Sequence, residues 1–122
     1  METKTPAADS QEADRLAKEL ARGAVRPALL SLLEDGESYG YDLVARLREA
    51  GDSMPATEAA VYPLLKDLEA KGQLKSRWKA TEPGVPPRKY YALTPAGARL
   101  LAALRAALKQ HRSEMDKILG VK

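Results

Sequence analysis

Apolar residues recur at intervals of three and four along most of this chain and alternate strictly only between Gln73 and Leu93. A helix repeats every 3.6 residues and a strand every two, so the change of period predicts a set of helices around a single hairpin. The segment from Thr57 to Gly72, TEAAVYPLLKDLEAKG, organises the rest. Val61, Leu64, Leu65 and Leu68 form one stripe to be buried, Thr57 supplies a side-chain oxygen cap, and Gly72 stands where a left-handed stop belongs. The opposite face carries Glu58, Tyr62, Lys66 and Glu69. Pro63 lacks the donor that would bond the carbonyl of Ala59, which predicts a bend near the first turn and not a break.

Upstream, residues 1–9 are polar and predicted to be a disordered tail. Residues 10–23 predict an accessory helix, with Leu16 and Leu20 one turn apart and Gly23 ending it. A second helix is expected from Ala24 to Asp35, burying Val25, Leu29, Leu32 and Leu33, with Pro27 tolerated in its first turn. Ser38 is expected to cap a third helix with Leu43, Val44, Leu47 and Ala50 inward and Gly51 as its stop. The connector DSMPA is short enough to make this helix and the Thr57 helix cross as neighbours.

In the alternating stretch, Leu74, Ser76, Trp78 and Ala80 share one side, and Lys75, Arg77 and Lys79 the other. The Pro-rich segment TEPGVPP cannot hold a ladder and is read as the turn. The return strand sets Lys89, Tyr91 and Leu93 against Arg88, Tyr90 and Ala92, with Trp78, Tyr91 and Leu93 expected to cover the helices. Two crossed helices followed by a basic hairpin define a mainly α (α+β) winged helix-turn-helix with a two-stranded wing, here over residues 24–93. The Thr57 helix would then read the DNA major groove.

Thr94-Pro95 opens the last element, residues 94–122, with a cap and a proline at the first helical position. Gly97, Leu101, Leu104, Leu108, His111, Met115 and Ile118 follow at gaps of four and three, a heptad seam. No other predicted helix is long enough to pair with it. The seam therefore predicts a homodimer, with Leu16 and Leu20 as additional cover.

Composition sharpens the picture in two places. Between Lys71 and Lys89 six cations face one anion, a local +5, whereas the first twenty residues carry a local −2. Cations concentrated on one element mark a polyanion-binding surface. The chain of 122 residues has no Cys, which removes disulfides, thiolate nucleophiles and Cys-based metal sites. With His111 as the one histidine and no phosphate-cradling Gly loop, neither an enzyme, a cofactor nor a metal site is expected. The absence of a secretory pattern at the N-terminus makes the cytoplasm the expected location.

The segments LLSLLEDGESYGYDL, AAVYPLLKDLEAKGQL and PPRKYYALTPAG, within Val25 to Leu101, together resemble the PadR family of bacterial transcriptional regulators, in its compact branch with a single C-terminal helix. The resemblance implies a homodimeric winged-helix repressor whose dimer contacts come from the last helix, with a small aromatic effector in some members; a two-fold dimer of this kind is expected to bind a near-palindromic operator. The first segment carries Tyr39 where the family usually has His, and that position joins the DNA-contact candidates.

Those candidates are Tyr39, Thr57, Glu58, Tyr62 and Lys66, with Arg77, Lys79, Arg88 and Lys89 on the wing. Hydroxyls and cations suit phosphates and base acceptors, and Glu58 suits a cytosine amino group. A merely solvated helix face would look similar, and edge strands carry Lys simply to block aggregation. Alternation places Lys89 with the inner residues, which leaves its part in a phosphate clamp open. Tyr90 and Tyr91 are expected to split between solvent and core. Trp78 is read chiefly as buried structure, with an effector cavity between wing and last helix as the other use. A winged-helix module that contacts protein through its hairpin, without specific DNA binding, is the alternative from a different class.

Overall fold

The computed structural model describes residues 6–121. Four α-helices and a small sheet follow in the order α1 (Pro6–Leu32), a 3₁₀ turn (Leu33–Asp35), β1 (Ser38–Tyr39), α2 (Gly40–Ala50), α3 (Glu58–Ala70), β2 (Leu74–Lys79), β3 (Arg88–Leu93) and α4 (Pro95–Leu119). The core is almost wholly aliphatic. Val25, Leu29 and Leu30 from the end of α1 and Leu33 of the 3₁₀ turn meet Leu43, Val44 and Leu47 of α2, Val61, Leu65 and Leu68 of α3, Leu74 of β2 and Leu101 of α4.

The two N-terminal helices expected on either side of Gly23 are one. Helix α1 passes through both Gly23 and Pro27. A glycine inside a helix costs about 1 kcal/mol relative to Ala, and Pro27 deletes a single bond, to the carbonyl of Gly23. No turn residues follow Gly23, and burial of Val25, Leu29 and Leu30 holds the second half in place. The tail expected over residues 1–9 is helical from Pro6; its first five positions lie outside the described residues. The first half of α1, from Ala7 to Leu20, is exposed along its length.

Ser38 is not a helix cap. It forms β1 with Tyr39, pairing Ser38 with Tyr91 and Tyr39 with Tyr90, so the expected two-stranded wing is the outer part of a three-stranded antiparallel sheet in the order β1-β3-β2. The Ser38 side chain is buried, and its Oγ donates to Asp42 Oδ2 at 2.6 Å. Helix α2 starts after Tyr39 with no side-chain cap. Its core face is Leu43, Val44 and Leu47; Ala50, expected inward, is exposed at the last turn.

Helix α3 has the predicted ends. Thr57 Oγ1 accepts from Ala60 N at 3.1 Å. Gly72, at φ +75°, carries the chain out of the helix while its N–H and that of Gln73 bond the carbonyls of Glu69 and Leu68. The helix continues through Pro63. The β2–β3 register keeps the faces that alternation assigns: Leu74 opposite Leu93, Ser76 opposite Tyr91 and Trp78 opposite Lys89 on one face, with Lys75, Arg77 and Lys79 opposite Ala92, Tyr90 and Arg88 on the other.

Helix α4 divides its seam. Gly97 and Leu101 are buried in the protomer's own core and Leu104 packs at its edge. Leu101 is thereby withdrawn from the expected dimer contact: the first turns of α4 lie on α1, where Arg105 binds Glu34 Oε1 at 2.7 Å and Ser31 Oγ at 3.0 Å. Beyond them Leu108, His111 and Ile118 are exposed and Met115 is half-covered.

Candidate nucleic-acid interface

Because α3 buries Val61, Leu65 and Leu68, its residues Glu58, Tyr62 and Lys66, spaced by one turn, fall on the outer face. Thr57, Glu58, Tyr62 and Lys66 are all solvent-exposed, Tyr62 to 43%. Thr57 Oγ1 accepts from the backbone but keeps its own proton to donate outward. The Tyr62 ring lies against the backbone of Gly40 at the start of α2: a Cβ at Gly40 would stand 3.0 Å from Tyr62 Cζ and closer to Cε1. Partial burial, reinforced by Glu58, pushes the Tyr62 hydroxyl above its ordinary pKa, so it stays protonated and can donate.

The wing is positioned by two carboxylates that lie outside it. On the inner face, Glu69 of α3 accepts from Ser76 Oγ and pairs with Lys89 Nζ at 3.1 Å. The Ser76 hydroxyl first, and Lys89 next, hold Glu69 below the usual carboxylate range. On the outer face, Glu37 receives Arg77 Nε at 3.0 Å, Arg77 Nη2 at 2.7 Å and Lys79 Nζ at 3.2 Å. These hydrogen bonds, with Arg77 foremost, pull Glu37 down to about 2. A carboxylate so lowered contributes to stability above its unfolded value and loses that contribution only as pH falls towards the folded one, so the trio stays ionised throughout the neutral range. Arg88 lies 4.5 Å from the Tyr39 ring centroid, and Tyr39 meets Tyr90 edge-on at 5.3 Å.

The cationic stretch is therefore less free than its count suggests. Lys71 pairs with Asp67 at 3.0 Å, Arg77 and Lys79 with Glu37, and Lys89 with Glu69. Among the described residues of the stretch, Lys75 and Arg88 have no carboxylate partner. The clamp expected of Arg77 and Lys79 across from Arg88 and Lys89 is not open: alternation assigns faces, but not the carboxylates that other elements bring to those faces. Lys89 belongs to the inner face. Tyr39 serves as the plate beneath Arg88.

Trp78 departs most from expectation. It lies on the inner face, as alternation requires, but is 69% exposed, at the edge of an open cleft and not packed on the core. It lines a cleft of about 510 Å³ with Tyr39, Gly40, Tyr41, Tyr62, Arg88, Lys89 and Tyr91, between α2, α3 and the wing. That is the side of α3's outer face, not the side of α4. Tyr41 and Glu37 were missed as parts of the surface, and Glu69, expected on the outer face of α3, turns instead to Ser76 and Lys89 of the wing. Tyr41 had a visible signal, an aromatic side chain on the polar side of α2, whereas what the two acids bind is recognisable only once the chain is folded.

A helix pair with an exposed second helix, flanked by an antiparallel wing bearing cations and aromatic rings, defines a winged helix-turn-helix of the DNA-binding type. Residues 29–103 match the transcriptional regulator PadR-like family, and the chain belongs to it. Among solved structures it is similar to a PadR family transcriptional regulator from Eggerthella lenta, with 33% identity, TM-score 0.84, and coverage of 95% of this chain and 99% of that one. A PadR family transcription regulator from Clostridium difficile has 27% identity, TM-score 0.69, and coverage of 78% and 97%. A transcriptional regulator from Clostridium thermocellum has 29% identity, TM-score 0.71, and coverage of 81% and 93%. A search of curated proteins returned no match. The protein is thus a transcriptional regulator in family and fold, and these relatives are regulators, not enzymes. No helix among the described residues is long and apolar enough to cross a membrane.

Proposed function

We propose that the protein is a homodimeric repressor that binds a near-palindromic operator, with α3 in the major groove, the wing on the flanking backbone and α4 holding two copies together. The observation that carries the reading is the outer face of α3: Thr57, Glu58, Tyr62 and Lys66 are exposed on a helix whose other side is fully packed. Two such helices related by a two-fold axis would meet half-sites about one helical turn apart. Fluorescence anisotropy on duplexes selected from a randomised pool tests it. A sequence-selective complex that weakens steeply with salt is expected. The neutralised wing cations and exposed Trp78 favour a second reading, a module that grips protein through its hairpin. Weak, indiscriminate DNA binding in the same experiment selects that one.

Arg88, stacked on Tyr39 and unpaired with any carboxylate, is the wing residue best placed for phosphate. Arg88→Ala is expected to weaken binding to every duplex alike and to reduce the slope of log K against log salt by about 0.9, the loss of one phosphate contact. A slope equal to that of the unaltered protein removes Arg88 from the interface.

The proposed repressor is released by a small aromatic effector, and the ring-lined cleft at Trp78 supports that reading. A ligand there would overlap Tyr62 and Arg88 and so compete with DNA directly. Trp78 is the sole tryptophan, so its emission reports on the cleft. A compound that releases DNA should shift that emission. Release with the emission unmoved would place the effector elsewhere.

A further inference from the structure

We propose that Glu37 masks the wing: it occupies the anion-binding capacity of Arg77 and Lys79, so that the wing adds little affinity for DNA of any sequence. The inference rests on the reading of the protein as a DNA-binding regulator.

The geometry is that of a phosphate contact already filled. A guanidinium presents parallel N–H donors that match two oxygens of a carboxylate or a phosphate, and Arg77 gives Nε to Glu37 Oε2 and Nη2 to Oε1. Lys79 adds a third donor on Oε1. The three residues lie 40 and 42 positions apart, so this is no by-product of helical or strand spacing. Glu37 is held for the purpose by its place in the chain, in the connector between the 3₁₀ turn and β1, where the pairing of Ser38 and Tyr39 with β3 fixes the backbone beside the outer face of the sheet.

Exposure is distributed unequally within the trio. The Glu37 side chain is 25% exposed, Arg77 64% and Lys79 44%. A backbone phosphate can reach the outer flanks of both cations, but it meets a site whose net charge is +1 and whose best donors are engaged. Phosphate contacts form with any sequence, whereas base contacts do not. A phosphate contact made on every duplex scales specific and non-specific affinity by the same factor, so Glu37 weakens the hold on all DNA and leaves the ratio between sequences to the base contacts. Lys75 and Arg88 remain for positioning, and discrimination falls to the outer face of α3.

The test compares the full-length protein with Glu37→Gln on a random-sequence duplex and on a duplex selected from a randomised pool by the unaltered protein. The amide keeps the shape and loses the charge. We expect Glu37→Gln to bind the random duplex roughly tenfold more tightly at low salt, with a salt slope steeper by about 0.9 to 1.8, one or two contacts regained. The selected duplex should gain by a similar factor, leaving the ratio between the two nearly unchanged. Adding Arg77→Gln to Glu37→Gln should reverse most of the gain, which separates released cations from a general change in charge. Unchanged affinity and slope on the random duplex would overturn the proposal. So would an equal loss on both duplexes, which would make Glu37 a strut for the wing; circular dichroism of each variant separates that result from unfolding. If no sequence is selected yet Glu37→Gln gains affinity and slope, the regulator reading fails while the masking of the wing stands.

Discussion

Gly97→Val should destabilise the protein by about 3 kcal/mol or more, the upper end for forcing extra atoms into a packed interior, and lower its melting temperature by roughly 10 °C. Gly97 sits in the first turn of α4 against the root of the wing. A Cβ there would stand 2.9 Å from Leu93 Cδ1 and 3.1 Å from the carbonyl carbon of Gln73, with the oxygen nearer still. The obstacle is backbone, and it is tied down. The carbonyl of Gln73 accepts from Thr94 N at 3.3 Å, while Thr94 Oγ1 donates to the carbonyl of Gly72 at 2.7 Å and accepts from Gly97 N at 3.1 Å. One node thus joins the stop of α3, the start of β2 and the cap of α4. Relief requires moving α4, and with it Leu101, out of the core. Gly40→Ala makes the contrast: its obstacle is the ring of Tyr62, which can swing aside. That variant should melt near the unaltered protein but bind DNA less well, because the displaced ring belongs to the outer face of α3. Denaturant titrations of both variants decide the matter, and equal stabilities would contradict the argument.

The contrast also shows which parts of the molecule were legible in the sequence. Helix α3 was legible because every signal for it is local: the Thr57 cap, the Gly72 stop and one apolar stripe agree within sixteen residues. The faces of β2 and β3 followed from period two alone, whereas their register is set by the fold. The errors have a common physical origin in contacts distant along the chain. Gly23 reads as a stop until the burial of Val25 and Leu29 holds α1 together. Ser38 reads as a cap until β3 recruits it as a strand. Trp78 reads as core because alternation names a face without saying what lies beneath it. The site fared worse than the fold for the same reason. A count of cations is local, but Glu37 and Glu69 reach them from other elements, and the free charge of a surface is a property of the folded chain.

The exposed half of α4 carries the other large expected effect. One face of its first half, at Gly97 and Leu101, is buried within the protomer, yet the seam continues through Leu108, Met115 and Ile118, the last of them 75% exposed, with Leu119 and Val121 exposed beyond it. Burying a Leu or Ile fully is worth roughly 1.5–3 kcal/mol, and a self-complementary contact buries each residue twice. Leu16 and Leu20 are likewise exposed, on α1. Leu108→Glu with Ile118→Glu should therefore raise the dimer dissociation constant by several orders of magnitude and give a protomer by sedimentation. Neither residue belongs to the protomer's core, so its melting should show that the fold survives. Two half-site contacts bound as one unit exceed either alone by roughly 10²–10⁴-fold, and a protomer forfeits that factor on a palindromic site. Affinity for a duplex bearing a single half-site should hardly change. The pairing of those two results is the discriminating feature: loss on the palindrome with retention on the half-site assigns α4 to spacing two reading heads. Loss on both would mean that the substitutions reach α3, and a dimer that persists in sedimentation would remove the seam from the assembly.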